Sequence, residues 1–188
     1  NNLLLKKETL PSAYDCRNQP GFMSTLQQQG ANAAYWTAPY SFMTNMEAGI
    51  TASVRFTANN GERYVLSLDT SVNNISSMTR YITVGKSGFI VLFDAAGAIV
   101  GEPARRVFVP QTSAEEKIVT MRDIPVLATL YEQWGAAGRR VDQTQSSQVD
   151  GVGWITRFTK MSLGGRTLYV GMFVPAADFP PDVTVPLG

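Results

Sequence analysis

The chain has 188 residues, of which 44% are hydrophobic, so it can build one large domain or two small ones with a real core. Its 16 basic and 15 acidic residues leave a net charge of +1, which argues against nucleic acid or anionic lipid as a partner because no attractive field is built up. There is no histidine, so histidine-dependent hydrolases and most zinc sites are disfavoured, and we expect no cofactor and no metal site.

Hydrophobic alternation in the first half predicts strands separated by turns. A strand is expected over residues 3–9 and a short helix over residues 20–29, closed by Gly30. Three further segments are predicted as the strands of an antiparallel meander: residues 35–44, 49–57 and 62–69. The last two are joined at Asn59-Asn60-Gly61, because an Asn-Gly pair tolerates the positive φ of a hairpin turn. A helix over residues 72–82 follows, with Ser71 as its N-cap.

The second half repeats the pattern of hairpins and a helix. An apolar strand over residues 89–93 turns at residues 94–97 into a strand over residues 98–100. Residues 124–134 have helical spacing, with Pro125 tolerable in the first turn. The polar residues 141–148 are interpreted as a loop or an exposed strand. A final hairpin is predicted over residues 153–161 and 167–174, with its turn at Leu163-Gly164-Gly165, and the prolines from Pro180 onward end regular structure.

Hairpin strands with a helix packed on them therefore occur twice, in residues 1–82 and in residues 83–188. Antiparallel strands with few helices favour an α+β fold over a doubly wound sheet. Since little precedes the first meander, we expect the chain to begin inside a module. No apolar run approaches the roughly 18 residues that a membrane span needs.

An aromatic segment early in the meander is the most informative for function. If this segment is extended, Trp36, Tyr40 and Phe42 share one face, because strand side chains alternate. Such a face is either core or the wall of a pocket. A strand of the same meander ends in Asp69, whose carboxylate would need a donor or a ligand if it were buried beside aromatic rings. Arg17 is a candidate donor.

Two other features have ordinary structural interpretations. Val84-Gly85-Lys86-Ser87 superficially matches a phosphate-binding loop, but Arg80 stands where that motif needs its first glycine, and a strand follows where a helix is required. We interpret these residues as a turn entering a strand. Cys16, the only cysteine, rules out an internal disulfide and is interpreted as a small, half-buried side chain.

Several segments together resemble the double Cache sensor domains. Residues 14–22, Tyr-Asp-Cys-Arg-Asn-Gln-Pro-Gly-Phe, are similar to the Tyr-Asp-x-Arg-x-Arg-Pro-Trp-Tyr segment of that family. Further segments match in order and spacing over nearly the whole chain: residues 36–40, residues 49–53, the strand ending in Asp69, residues 84–89 with Asp94 and Gly97, residues 151–154 and residues 174–179.

The resemblance implies two PAS-like modules, each an antiparallel sheet flanked by helices. Residues 1–82 would be the C-terminal portion of the membrane-distal module, and residues 83–188 the membrane-proximal module. Such domains lie on the periplasmic side of the bacterial inner membrane, between two transmembrane helices of the parent protein. The motif sequences are most similar to those of sensor domains on bacterial adenylate or guanylate cyclases and on some sensor histidine kinases and phosphatases. A homodimer is one possible assembly.

Family members that bind amino acids use an Arg-Pro-Trp-Tyr segment, a Tyr-x-Asp pair and a strand-end Asp. This chain keeps the Tyr and the strand-end Asp as Tyr40 and Asp69. It departs from the family at four positions, which are Gln19 for the Arg, Gly21 for the Trp, Phe22 for the Tyr and Phe42 for the first Asp. Without that arginine and aspartate, the resemblance predicts that α-amino acids are not bound through this constellation. The missing Trp is expected to enlarge the site.

We therefore expect an extracytoplasmic domain that senses a small molecule and is not itself an enzyme. Its ligand would be less polar or aromatic, or an amine held by Asp69. The expected pocket residues are Phe22, Trp36, Tyr40, Phe42 and Asp69. Arg17 is expected to orient Asp69 or to meet an acidic ligand, and an exposed structural role is an equal alternative for it. Two alternatives stay open: a periplasmic protein-interaction module with a degenerate pocket, and a hydrolase that uses Asp69 with another acid.

Overall fold

A computed structural model describes residues 14–28, 33–103 and 118–179. The strand predicted over residues 3–9 and the proline-rich end lie outside the described residues. Within them the chain forms three α-helices: α1 (Pro20–Gln27), α2 (Val72–Thr79) and α3 (Pro125–Ala136). The strands are β1 (Ala34–Trp36), β2 (Tyr40–Ser41), β3 (Ala48–Thr57), β4 (Arg63–Ser71), β5 (Thr83–Val84), β6 (Gly88–Asp94), β7 (Ile99–Gly101), β8 (Thr144–Val149), β9 (Val152–Leu163) and β10 (Arg166–Pro175).

The first sheet is the predicted antiparallel meander. One edge of β3 pairs with β1 and β2, and its other edge pairs with β4 over the full length of both strands. The β3–β4 turn contains Gly61 at a φ of +83°, as the hairpin signal predicts. One expectation is wrong, because residues 35–44 do not form a continuous strand. The break falls at residues 37–39, where Pro39 has no N–H to donate and the side-chain oxygen of Thr37 accepts the backbone N–H of Thr51 at 2.9 Å.

The second sheet is larger and also antiparallel. Its strands follow the order β5-β6-β10-β9-β8, and β7 pairs with the edge of β6 next to β5. The polar residues that allowed a loop or a strand form β8, paired with β9. The last hairpin turns through Gly164 and Gly165, both at positive φ, as predicted. Two antiparallel sheets with three helices in the described residues confirm the α+β class.

Each helix begins where its sequence predicts. Pro20 and Pro125 occupy the first turns of α1 and α3, where a proline leaves no intrahelical bond unmade. Ser71 caps α2 by accepting the backbone N–H of Asn74 at 3.2 Å. None of the helices in the described ranges is long and apolar enough to cross a membrane.

The main hydrophobic core lies between α3 and one face of the second sheet. Trp134 of α3 is 1% exposed and stacks on Phe158 of β9 with 4.3 Å between ring centroids. Phe93 of β6 meets both rings edge-on, and Phe173 of β10 meets Phe158 in the same way. Rings in these geometries stabilise a core beyond their buried area, by about 0.5–1.5 kcal/mol per pair.

A smaller apolar cluster joins the two sheets. Ile50 of β3, Val100 of β7 and Leu168 of β10 are buried together, with Trp36 of β1 packed against them. The helix α2 lies at the same junction, where the Ser76 hydroxyl accepts the backbone N–H of Glu102 at 2.9 Å. The boundary predicted between residues 82 and 83 therefore stays a prediction, because elements from both sides of it share one cluster.

The turn over Gly85, Lys86 and Ser87 holds a carboxylate of the chain itself. The backbone N–H groups of Lys86 and Ser87 donate to one oxygen of Asp178 at 3.0 and 2.6 Å, and the Ser87 hydroxyl donates to the other oxygen at 2.9 Å. These bonds fasten the segment after β10 to the start of β6. The turn interpretation of this motif agrees with the contacts.

We expect Asp178→Asn to weaken the contact between Asp178 and the Gly85–Ser87 turn, and the resulting loss of stability to depend on pH. The bonds from Ser87 hold the pKa of Asp178 below its ordinary value. A lowered folded-state pKa contributes stability that is present above the ordinary pKa of about 3.9 and is lost as the pH falls through the lowered value. The difference in unfolding free energy between wild type and variant should be largest above about pH 5 and shrink below about pH 4. A difference that does not change with pH would contradict this account.

The junction of the two sheets supplies a second test, at the hairpin between β9 and β10. Gly164 has a φ of +51°, and a Cβ at this position would collide with Cδ1 of Trp36. Gly165 has a φ of +82°, with nothing within 4 Å of an added Cβ. Gly165→Ala should therefore cost only backbone strain, about 1–3 kcal/mol. Gly164→Ala should cost more, although its φ suits an L residue better, and urea unfolding of the two variants measures the difference. Equal losses would show that Trp36 does not restrict the turn.

Candidate functional site

A cavity of about 170 Å³ lies between α1 and the strands β3 and β4 of the first sheet. It opens to solvent beside Asp69, whose side chain is exposed. Its wall comes from α1 and the residues before it, from the segment around β2, and from β3 and β4. The lining residues are Tyr14, Cys16, Gln19, Gly21, Phe22, Tyr40, Phe42, Met43, Thr44, Thr51, Val65, Ser67 and Asp69.

Four of the six predicted site residues line this one cavity. Phe22 lies on α1, Tyr40 in β2, Phe42 directly after β2, and Asp69 near the end of β4. Asp69 faces the cavity because β4 side chains alternate, which also places Val65 and Ser67 on the same wall.

Arg17 does not contact Asp69, and the structure agrees with the alternative of an exposed structural arginine. Its guanidinium donates to both carboxylate oxygens of Asp15, with bonds of 2.7 to 3.0 Å, and the side chain is 73% exposed. Asp15 lies two residues away and satisfies the guanidinium in a bidentate geometry. Because of this pairing, Arg17 neither orients Asp69 nor lines the cavity.

Trp36 is also placed elsewhere. The break at residues 37–39 removes the alternation that would have put Trp36 on the same face as Tyr40 and Phe42. Instead, Trp36 packs at the junction with the second sheet, against the buried cluster that contains Leu168 and against the Gly164 turn. The prediction that the three rings share one face is wrong for Trp36.

A chain of hydroxyl groups ends on the carboxylate of Asp69. The hydroxyl of Thr51 donates to Oδ1 of Asp69 at 2.6 Å, which uses its only hydrogen. The Tyr40 hydroxyl, 2.7 Å from the same Thr51 oxygen, is therefore the donor in that pair. Both bonds are donated in the direction of Asp69, whose carboxylate is the last acceptor of the chain.

Phe42 fills the space where amino-acid sensors of the resembled family carry an aspartate. Its side chain is 6% exposed, and its ring meets that of Tyr40 edge-on with 5.2 Å between centroids. The ring lies directly over Gly49 of β3, where any Cβ would collide with it. A large ring at position 42 thus depends on glycine at position 49.

Gly21 brings α1 close to the sheet. A larger site, the expected effect of the missing Trp, is therefore not the only consequence of this glycine. A Cβ at position 21 would lie 2.7 Å from Cγ2 of Thr51 and 2.8 Å from Oγ of Ser53. Both neighbours are 2% exposed and hydrogen-bonded, so they have little freedom to move. The helix therefore rests on β3 at this point, and the cavity lies beside the contact.

The electrostatic character of the cavity is set by Asp69. Of the described residues that line the cavity, Asp69 alone carries a charge. Burial raises the pKa of Tyr40, and the nearby charge of Asp69 raises it further against the opposing effect of the Thr51 bond. Burial likewise raises the pKa of Tyr14, with additional contributions from Cys16 and Asp69. Both tyrosines are therefore neutral phenols at physiological pH.

Sequence reasoning missed several lining residues. Thr51 could have been found, because the β3–β4 turn fixes the register that pairs it with Asp69. Cys16 was expected to be half-buried, but it is exposed and borders the cavity because it begins a short 3-10 turn before α1. Met43 and Thr44 follow Phe42 in a turn and carried no signal in the sequence.

The chain is similar in sequence to part of a bacterial receptor protein and in fold to solved receptor domains. No family model matches it. Over 109 residues, 58% of this chain, it is 25% identical to a probable methyl-accepting chemotaxis protein of Bacillus thuringiensis, of which it covers 15%.

Solved ligand-binding domains of chemoreceptors have the same fold. That of Pseudomonas fluorescens CtaA in complex with L-isoleucine superposes with a TM-score of 0.61 at 17% identity, over 91% of this chain and 63% of that one. That of Pseudomonas aeruginosa PctB with L-Arg gives 0.63 at 17% identity, over 95% and 68%. That of P. aeruginosa PctC with GABA gives 0.58 at 18% identity, over 89% and 66%. The chain thus spans about two thirds of these domains, and such identities establish the fold alone.

The contact between α1 and β3 generates a stability prediction. Gly21→Ala should destabilise the protein by about 1–3 kcal/mol, because the added methyl group meets Thr51 and Ser53. Gly135→Ala is the matched control, since Gly135 also lies in a helix but has nothing within 4 Å of an added Cβ. That control should stabilise the protein by up to about 1 kcal/mol through helix propensity. Denaturant unfolding measures both, and a Gly21→Ala variant as stable as wild type would contradict the close approach.

Proposed function

We propose that this chain, which has the fold of the double Cache ligand-binding domains of bacterial chemoreceptors, is the extracytoplasmic small-molecule sensing part of a transmembrane receptor. The observation that carries the proposal is the cavity between α1 and the first sheet. Solved domains of the same fold are complexes with L-isoleucine, L-Arg and GABA. A cavity lined by four aromatic rings and a carboxylate has the few convergent polar groups that are typical of ligand sites.

The ligand is not an α-amino acid bound in the usual way. No Arg or Lys is among the described residues that line the cavity, so a ligand carboxylate has no cationic partner there. Gln19 stands where amino-acid sensors carry the clamping arginine, and its amide donates to the sulfur of Met43 at 3.3 Å. Phe42 removes one of the two acids that would pair with a ligand ammonium.

Ligand occupancy would be passed to a cytoplasmic output domain of the parent protein. The periplasmic location, the membrane anchor and a homodimeric assembly are parts of this proposal. The residues of the motifs favour a cyclase or histidine kinase as the output domain. The likeness to a chemotaxis protein favours a methyl-accepting signalling domain instead. In this proposal the sensing domain binds its ligand without converting it, as the likeness to solved ligand-binding domains supports.

A continuous set of contacts supports signal transfer from the cavity to the second sheet. Thr51, which bonds to Asp69 and Tyr40, also exchanges two hydrogen bonds with Thr37, at 2.9 and 3.0 Å. The neighbour of Thr37 is Trp36, which packs against the cluster containing Leu168 and against the Gly164 turn of the second sheet. A ligand that changes the hydrogen bonds of Asp69 would thus change the packing between the two sheets at this junction.

The exposed face of β4 supports the second candidate function, a protein-interaction module. Tyr64, Leu66 and Leu68 point away from the cavity and are 43%, 56% and 69% exposed. Adjacent apolar side chains at this level of exposure are typical of surfaces that contact another protein. In that case the cavity would be a degenerate remnant.

Thermal unfolding in the presence of a broad metabolite library tests the proposal. A ligand at about 100 times its Kd should stabilise the protein by about 2.7 kcal/mol. Ser67→Phe should abolish the shift, because Ser67 lines the cavity and a phenyl ring there fills it. Leu66→Phe is the matched control, since it adds an aromatic ring to the opposite face of the same strand and should keep the shift. If no compound of the library shifts the thermal unfolding of wild type, the protein-interaction module is favoured.

A further inference from the structure

We infer that two copies of this chain pair through the outer edge of β4, in an antiparallel register that sets Arg63 of one copy opposite Asp69 of the other. The inference rests on the homodimer included in the proposed function, and it names the surface through which that homodimer forms. It follows from the backbone, the charges and the apolar face of β4.

The outer edge of β4 presents backbone groups that no described residue pairs, because β4 bonds to β3 along one edge only. Thr51, which faces Asp69 in this pairing, directs its N–H and its C=O to Thr37, away from β4. In an antiparallel pair, the two facing residues direct their backbone groups either toward each other or both outward. The N–H and C=O of Asp69 therefore point to the outer edge, as do those of every second residue back to Arg63.

The strand β4 lacks the features that usually keep an edge strand from pairing. Such strands are short, or they carry a proline, a bulge or charges on their faces. β4 has nine residues, contains no proline and pairs with β3 without a bulge. Its face away from the cavity carries the exposed side chains of Tyr64, Leu66 and Leu68 and no charge. A regular, apolar edge of this kind is suited to pair with another strand.

The charges of β4 select one register for a second copy. Only residues whose backbone groups point outward can bond across the edge, and the register centred on Leu66 places Arg63 opposite Asp69 of the partner subunit, twice by symmetry. Neither residue forms an ion pair with a described residue, and both are exposed. Opposite charges that face each other across an antiparallel pair stabilise it. A shift by two residues would instead set Arg63 opposite Ser67, or Asp69 opposite Val65, of the partner subunit.

The same register joins the apolar faces of the two strands. Leu66 lies opposite Leu66 of the partner subunit at the two-fold axis, and Tyr64 lies opposite Leu68 of the partner subunit. These pairs exchange no backbone bonds, so their Cα atoms approach to about 4.5 Å and their side chains pack closely. On the other face, Arg63 of the partner subunit reaches the mouth of the cavity beside Asp69, because alternate residues of β4 face the cavity. The second copy thus adds a cation to the cavity mouth.

Cysteine cross-linking of the 188-residue chain tests the register, in a Cys16→Ser background that removes the only native thiol. In Leu66→Cys the two thiols meet at the axis, with Cα atoms about 4.5 Å apart, which is within the range of a disulfide. Mild oxidation should therefore produce a covalent dimer. Tyr64→Cys is the matched control, because it lies on the same exposed face, but its two copies are four residues out of register, roughly 13 Å apart. This control should stay unlinked.

Charge exchange tests the ion pairs. Sedimentation equilibrium of wild type should give an average mass that rises with concentration toward twice that of the monomer. Arg63→Asp and Asp69→Arg each set like charges opposite each other, and each should weaken the dimer about 10- to 100-fold. An equimolar mixture of the two variants should dimerise again, because their heterodimer regains both ion pairs. Lys160→Asp makes the same change in net charge as Arg63→Asp on the exposed part of β9, and should leave the dissociation constant unchanged.

Three results would overturn the inference. The first is a wild type that stays monomeric at every concentration, as it would if another segment of the chain covered the edge. The second is cross-linking of Tyr64→Cys as readily as of Leu66→Cys, and the third is a mixture of the charge variants that dimerises no better than either alone. If wild type is monomeric while a metabolite stabilises it but not Ser67→Phe, the sensing function stands and this interface is wrong. If the dimer forms and no metabolite acts, the interface stands and the sensing function fails.

Discussion

The bonding of Thr51 is the interaction on which the site depends. Its backbone and side chain together serve three different neighbours, and its position in the middle of β3 leaves it buried. The hydroxyl fixes Asp69 and Tyr40 on the cavity side, while the backbone holds Thr37 at the break between β1 and β2. Replacing this residue with valine would keep its shape but leave Asp69 without its donor. One residue thus connects the orientation of Asp69 to the path of the aromatic segment.

Three glycines bring other elements against this framework. Gly21 lets α1 rest on Thr51 and Ser53, Gly49 admits the ring of Phe42, and Gly164 admits Trp36 from the other sheet. In each case the space a Cβ would occupy is taken by a neighbour's side chain, so the glycine is a packing requirement. Two of the departures from the amino-acid sensors thus have packing consequences, because Phe42 needs Gly49 and the position of α1 needs Gly21.

The sequence predicted the fold well because its signals were local. The Asn60-Gly61 and Gly164-Gly165 turns, Ser71 as a cap and Pro20 and Pro125 in first turns each define an element boundary without reference to the rest of the chain. The lining of the candidate cavity was predicted in part, since strand alternation and resemblance pointed to Phe22, Tyr40, Phe42 and Asp69. Trp36 was misplaced because its position depends on the break at Pro39 and on tertiary contacts there, and Arg17 pairs with its local neighbour Asp15.

The two sheets differ in how their interiors are filled, and this difference suits a sensor. The second sheet packs aromatic rings densely against α3, with Trp134, Phe158 and Phe93 almost fully buried. The first sheet has polar groups, including Thr51 and Ser53, under α1, and a cavity beside them. Regions with few buried apolar contacts are those that open or shift at low free-energy cost. Under the proposed sensing function, ligand binding would reposition α1 and the segment around β2, and the densely packed second sheet would transmit the change.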